Sequence, residues 1–243
     1  MIARAERAPT LLRLAAPFAW RDDRAIAQKL MGFAATEEGS ARDMLRAAER
    51  ATDPRLRRLF LRHGLDEARH AQCFRDTARA IDRAHAHARR HEAVRAERQD
   101  LYERLDLVRF VAFVHRSEAR AARQFDVLAA HFAEHATLGP LFRDIGKDER
   151  FHVSYSAQLL AEWRAAGRDR EVARAMRRVR LDLAWGAWRR AGRRLGDLAV
   201  RALLAVLFLT VVAPFGLVSR RQRPGWHDTP VALRSKGDFK RQY

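Results

Sequence analysis

Two segments of this 243-residue chain carry the same arrangement of carboxylate and imidazole. Residues 59–70 read LFLRHGLDEARH and residues 141–152 read LFRDIGKDERFH. They share Leu-Phe, then Gly64 and Gly146, then Asp66-Glu67 and Asp148-Glu149, then His70 and His152. Glu67–His70 and Glu149–His152 are each Glu-x-x-His, a spacing that on a helix puts both side chains on one face a turn apart. Each copy follows a further glutamate with an alanine three residues on. Glu38-x-x-Ala41 lies 29 residues before Glu67, and Glu118-x-x-Ala121 lies 31 before Glu149. Glu37 competes with Glu38, and the match to Glu118 selects Glu38. A chain rich in Arg, Ala and Glu generates one Glu-x-x-His by chance, but two copies in a shared frame, each with its upstream glutamate, point to a site. Four helices presenting Glu, Glu-x-x-His, Glu and Glu-x-x-His supply the ligands of a carboxylate-bridged dimetal centre inside a four-helix bundle.

The residue types suit that chemistry. Hard carboxylates bridge two Fe(II) ions and neutralise their charge, and one imidazole serves each metal while positions stay open for dioxygen; manganese shares these preferences. Glu67 and Glu149 are then the bridges, Glu38 and Glu118 terminal or flexible ligands, and His70 and His152 the nitrogen donors. Asp66 and Asp148, one residue before each bridge, either accept the outer N–H of a histidine on the opposite helix or are solvated. Cys73 and Tyr155 each stand three residues after a ligand histidine. Both fall one turn from the metals, as core packing or as a pocket wall where Tyr155 supplies a hydrogen bond or an electron. His115, three residues before Glu118, faces the same way as a donor to the ligands.

Helices must position these residues. Ala, Arg, Leu and Glu dominate, Gly and Pro are sparse, and no strand pattern interrupts, so the class is all-α. The apolar spacing predicts a first bundle helix over 22–51 and a second that opens at Asp53-Pro54, an N-cap followed by proline in the first turn. A third spans 107–135, and a fourth follows the break at Thr137–Pro140. Between the second and third, residues 79–106 are polar and long enough for the one long crossover that such a bundle requires; His85, His87 and His91 there read as a solvated face. Cys73 is the only cysteine, which excludes an intrachain disulfide and a metal centre held by four cysteines.

The formal charge is +18, which raises nucleic acid or anionic lipid as a partner. Lysine occurs only at positions 29, 147, 236 and 240, so the excess is arginine, a bias that genome composition also produces. Its location is more telling. Residues 168–194 hold ten arginines with Trp185 and Trp188, a basic amphipathic stretch suited to an anionic membrane surface. Residues 202–218 form an uncharged run of 17, about 26 Å as a helix at 1.5 Å per residue, against roughly 30 Å of hydrocarbon. A short span, a re-entrant hairpin and a tail docked on a membrane protein all fit it. The chain thus divides into an N-terminal arm (1–21), the four-helix bundle (22–166), a basic amphipathic helix (167–195), a hydrophobic membrane-associating segment (196–219) and a basic tail (220–243). Arginines interrupt the first twenty residues, so no secretory signal is read there. The expected location is the cytoplasmic face of a bacterial inner membrane.

Over residues 22–166 the sequence resembles the ferritin-like diiron superfamily. Glu38-Gly-Ser-Ala41-Arg42 ahead of Glu-x-x-His is similar to the rubrerythrin-type domain, and Asp66-Glu67-Ala68-Arg69-His70 to the bacterial multicomponent diiron monooxygenases. The resemblance implies an antiparallel bundle, two iron ions and dioxygen chemistry. With the hydrophobic C-terminal run, as in demethoxyubiquinone-type hydroxylases, it implies an oxidase or oxygenase acting on an apolar or lipid-like substrate. Electrons would come from an external reductase, and a second copy in a homodimer is also admitted. A ferroxidase or peroxide scavenger uses the same ligands, as does a tRNA-modifying hydroxylase, which the basic surface favours and residues 202–218 do not. A non-enzymatic membrane partner remains as a further class.

Overall fold

The computed structural model describes residues 7–84 and 101–221, and every described element is helical. His85, His87 and His91, most of the crossover and nearly all of the basic tail lie outside these residues. The chain divides into two compact units, Met1–Asp182 and Leu183–Tyr243.

In the first unit, α1 (Arg7–Ala19) precedes α2 (Asp23–Arg50), whose N-cap Asp22 accepts from the Ala25 amide at 2.8 Å. Residues of α2 are buried at three- and four-residue intervals: Leu30, Ala34, Glu37, Ala41, Met44, Ala48. After Asp53, Pro54 opens α3 (Pro54–Ala84), where its missing N–H removes no helical bond. The buried stripe of α3 runs Leu56, Phe60, His63, Glu67, His70, Phe74, Ala78. The short link makes α2 and α3 an antiparallel hairpin. Gly64 lets them close: a Cβ there would lie 3.0 Å from the Leu45 side chain and 3.2 Å from its backbone nitrogen.

A second hairpin pairs α5 (Leu107–His131) with α6 (Leu138–Trp163), and the hairpins meet where α3 packs on α6. The short helix α4 (Leu101–Arg104) leads into α5. The third bundle helix stops earlier than the expected residue 135. His135 turns back to accept the amides of Thr137 and Leu138 through Nδ1, both at 3.2 Å, and so satisfies the start of α6.

Phenylalanines close both ends of the packed helices. Trp20, Phe33, Phe74, Phe125, Phe132 and Phe142 cluster at one end in stacked, tilted and edge-on contacts. Phe60, Tyr102 and Phe110 meet edge-on at the other, where Arg55 also forks onto both Glu162 oxygens at 2.7 and 2.8 Å. Each fully buried ring contributes roughly 1.5–3 kcal/mol, which offsets the several kcal/mol that each buried charge between the two ends costs. Part of the expected N-terminal arm is structured: α1 packs on α5, with Ala16 and Trp20 in the core.

Gly167, with φ at +85°, kinks the chain after α6 in a conformation that favours glycine. Beyond it α7 (Asp169–Leu207) begins by burying Val172, Ala175 and Val179 in the first unit. In the second unit Trp185 and Trp188 stack with centroids 4.7 Å apart. The helical path continues through a π-turn (Phe208–Val212) into α8 (Ala213–Arg221). That turn sends the Ala213 amide to the Phe208 carbonyl just before Pro214, which cannot donate. Leu198, Leu203, Phe208, Val211 and Phe215 are all exposed. This run is long and apolar enough to cross a membrane, by length and composition, and none of its most apolar window is buried.

Candidate metal centre

Glu67 and His70 from α3, Glu149 and His152 from α6, Glu118 from α5 and Glu37 from α2 converge between the two aromatic ends. Their ligand atoms form two overlapping groups: Glu37, Glu67, His70 and Glu149, and His63, Glu67, Glu118 and His152. Within each group the atoms lie within 4.8 Å of one another, and Glu67 belongs to both.

Two residues depart from the sequence expectation. Glu38 is not in the cluster. One helical step from Glu37 turns it outward, where Arg42 and Arg75 bind its carboxylate, the latter at 2.9 Å. Glu37 lies on the stripe with Leu30, Ala34 and Ala41, and that periodicity, rather than the Glu-x-x-Ala match, carries the positional information. The second is His63, absent from the expected set and completely buried. It stands four residues before Glu67 and seven before His70, on one face of α3. Comparing the two repeats hides it, because Ile145 occupies its place in the second copy.

The imidazoles are anchored from outside. His70 Nε2 lies 3.1 Å from Asp148 of the opposite helix, and His152 Nε2 lies 3.4 Å from Asp66. Arg69 binds Asp148 and stands 3.9 Å from Asp66, tying the two acids together. The inner nitrogens face carboxylates: His70 Nδ1 is 3.3 Å from Glu149, and His152 Nδ1 is 3.4 Å from Glu67. His63 is held the same way, Nδ1 on the Tyr155 hydroxyl at 2.6 Å and Nε2 on Glu67 at 3.0 Å, and it stacks on His152 with centroids 3.6 Å apart. His115 reaches the centre only through Ser156, which donates to the His152 carbonyl. Cys73 is half-buried and belongs to neither group.

The electrostatics are compatible with a bound cation. Burial, then the neighbouring Glu37, pushes Glu67 well above the usual carboxylate range, and burial, then Glu149, does the same to Glu118. Burial also raises Glu37. Burial would raise Glu149 too, but the imidazoles of His152 and His70 outweigh it and hold that group ionised. Burial, then the stacked His152, keeps the His63 imidazole well below its ordinary value. Two dications would balance the four carboxylates with the imidazoles neutral.

A direct sign of fit is the set of buried atoms that no protein group satisfies. Of six such side-chain atoms among the described residues, four are His70 Nδ1, His152 Nδ1 and both Glu149 oxygens, and the other two are Arg109 Nε and Arg116 Nε. The first four lie close enough to attract one another, but their directions form no hydrogen bond. Buried polar atoms are rarely left so, and these four belong to the two ligand groups, where metal ions could satisfy them.

A cavity of about 450 Å³ opens beside this cluster between α2 and α5. Phe110, Phe113, Val114 and Met44 form its apolar lining, Thr36, Ser40 and Ser117 offer hydroxyls, and Glu37 and Glu118 stand in its wall. Comparison with protein-family models, with curated proteins and with solved structures finds no match for this chain, so what the cluster can do follows from its own geometry.

Proposed function

We propose that the chain is a membrane-attached dinuclear iron oxidoreductase, built as a ferritin-like four-helix bundle, that uses dioxygen to oxidise an apolar, lipid-like molecule. The observation that carries this reading is the cavity reaching Glu37 and Glu118. A protein that only oxidises iron needs a polar route to its ligands, whereas a cavity with aromatic and aliphatic lining suits an organic substrate.

Bound in the cluster, two iron ions would supply the redox chemistry that carboxylates and imidazoles lack. Glu67 would serve both ions, with Glu37, His70 and Glu149 completing one group and His63, Glu118 and His152 the other, and Glu37 and Glu118 on the cavity side. Asp148 and Asp66 fix two of the imidazoles by accepting their outer N–H, which keeps the inner lone pairs directed at the centre. Phe110, Phe113 and Val114 exclude water from the substrate side. Hydroxylation consumes one substrate, one dioxygen, two electrons and two protons, and releases one water. The electrons come from a separate reductase, since Cys73 alone cannot build a cysteine-ligated relay. The exposed apolar helix of the second unit and its flanking arginines suit attachment to an anionic bilayer, from which a lipid-like substrate would be drawn.

The polar lining from Thr36, Ser40 and Asp43 favours one competing reading, a ferroxidase with this cavity as its iron route. Anaerobic Fe(II) loading of the full-length protein, oxygen exposure with a reductant, and mass analysis of added lipid extract separate the two. An oxygenated lipid product supports the proposal. Ferric iron and peroxide consumption without organic product would replace it with the ferroxidase.

A further inference from the structure

We infer that the two metal positions are unequal because His63 is a seventh protein ligand, its ring oriented by the Tyr155 hydroxyl against its outer nitrogen. This inference rests on the dinuclear metal reading and goes beyond it, since the repeated Glu-x-x-His pattern alone predicts two equivalent positions.

The two repeats agree at Gly64 and Gly146, at both Asp-Glu pairs and at His70 and His152, but they differ at two places that meet in space. His63 of the first copy aligns with Ile145 of the second, and Tyr155, three residues after His152, aligns with Cys73. His63 on α3 and Tyr155 on α6 touch at 2.6 Å. The symmetry-related places hold isoleucine and cysteine, which cannot form that bond. The polar pair is thus present on one side of the centre only.

Its geometry is that of the other imidazoles. His70, His152 and His63 each direct one nitrogen at the carboxylates and set the other against an oxygen: Asp148, Asp66 and Tyr155. His63 Nε2 stands 3.0 Å from Glu67 and 3.7 Å from Glu118, and it shares one of the two ligand groups with His152. That position offers two imidazoles and two carboxylates. The other, with Glu37, Glu67, His70 and Glu149, offers one imidazole and three carboxylates.

The tautomer decides whether His63 can ligate. If Nδ1–H donates to the Tyr155 oxygen, the Nε2 lone pair is free for a metal. If Tyr155 donates to Nδ1, the proton sits on Nε2 and binds Glu67 instead. A cation between Glu67 and Glu118 selects the first arrangement, because it repels a proton at Nε2. Borderline ions prefer nitrogen-richer sites, so the His63 position fills first.

The test uses Co(II), titrated anaerobically into metal-free full-length protein in detergent. Absorption reports coordination, and proton NMR reports the exchangeable imidazole N–H signals that a bound Co(II) shifts. Wild type should bind two equivalents in two phases and show three shifted N–H signals, from His63, His70 and His152. H63Q should keep its helical circular dichroism and lose the tight phase and one signal. Y155F should retain both equivalents, weaken the tight phase by roughly 10-fold as loss of a histidine-orienting partner does, and broaden the same signal by faster exchange. Two equal phases with only two signals in wild type, or an unchanged tight phase in a folded H63Q, overturns the inference and leaves the metal reading standing. A wild-type protein that takes up no Co(II) and no Fe(II) overturns both.

Discussion

Raising the pH from 6.5 to 8.5 should destabilise the metal-free protein and leave the metal-loaded protein nearly level. Glu67 and Glu118 are held well above the ordinary glutamate value of 4.5, first by burial and then by neighbouring carboxylates. The unfolded chain ionises both above that value while the folded chain retains protons. The stability they contribute is therefore complete below 4.5 and is lost as pH rises through their folded-state values. His70, whose burial is outweighed by Glu149, is raised above 6.5 and acts in the same direction there. His63 acts oppositely: with its folded value depressed, its contribution is fully present above 6.5 and is lost only below. Glu149 and Asp148, both lowered, lose theirs only in acid. Between pH 6.5 and 8.5 these shifts leave effects of one sign. Each proton that the folded chain holds and the unfolded chain does not costs about 1.4 kcal/mol per pH unit. For a domain of this size that is roughly 3–6 °C of midpoint per pH unit. Metal displaces those protons, so the gap between loaded and metal-free midpoints should widen with pH. Thermal melts followed by circular dichroism, with chelator or with anaerobic Fe(II), measure both curves. A metal-free midpoint that stays level or rises, or two parallel curves, refutes the reasoning.

Four further outcomes are expected. E37Q should lower metal affinity in a calorimetric titration, whereas E38Q, which alters only a half-exposed ion pair with Arg42 and Arg75, should cost no more than about 1 kcal/mol of stability and bind metal normally. D148A and D66A should each weaken metal binding by about 10–100-fold without unfolding the helices, D148A more so because its histidine contact is shorter (3.1 against 3.4 Å); wild-type affinity in both would make them ordinary surface acids. A121L, one turn beyond Glu118 in the cavity wall, should reduce organic product while iron content and oxygen uptake hold, and a joint fall of all three would count against a substrate cavity. Removing residues 196–243 should shift the chain from membrane to soluble fraction, and a full-length protein that stays soluble without detergent would defeat the attachment.

The sequence exposes periodic features of the site and hides those that depend on which neighbour a side chain meets. Glu-x-x-His is a helical spacing, so Glu67, His70, Glu149 and His152 are visible from pattern alone, and they do come together. Choosing between Glu37 and Glu38 needs the helix phase, since adjacent residues differ by about 100° around the axis. The stripe Leu30, Ala34, Ala41, Met44 contains that phase, while the local Glu-x-x-Ala match points one residue too far. His63 is harder to see. It lies on the stripe of α3, but the repeat sets it against Ile145, and only the fold shows Tyr155 opposite it. The early end of α5 has the same character, because His135 caps α6 through contacts that no propensity encodes.

The helices also divide the work in a way that bears on mechanism. All three imidazoles and the two most deeply buried carboxylates come from α3 and α6, which pack on each other. Helices α2 and α5 contribute one carboxylate each, and small residues such as Ala35, Gly39, Ser117 and Ala121 keep the seam between them open. Glu67 and Glu149 are 1% and 0% exposed, against 8% for Glu37 and 7% for Glu118. The first pair is fixed by packing on every side; the second has the cluster on one side and the cavity on the other. In the proposed reaction, a site that admits dioxygen and substrate would have to give ground somewhere without losing its metals. The carboxylates of α2 and α5, which border the cavity, would be the ones to move, while the more deeply buried groups of α3 and α6 would hold the centre in place.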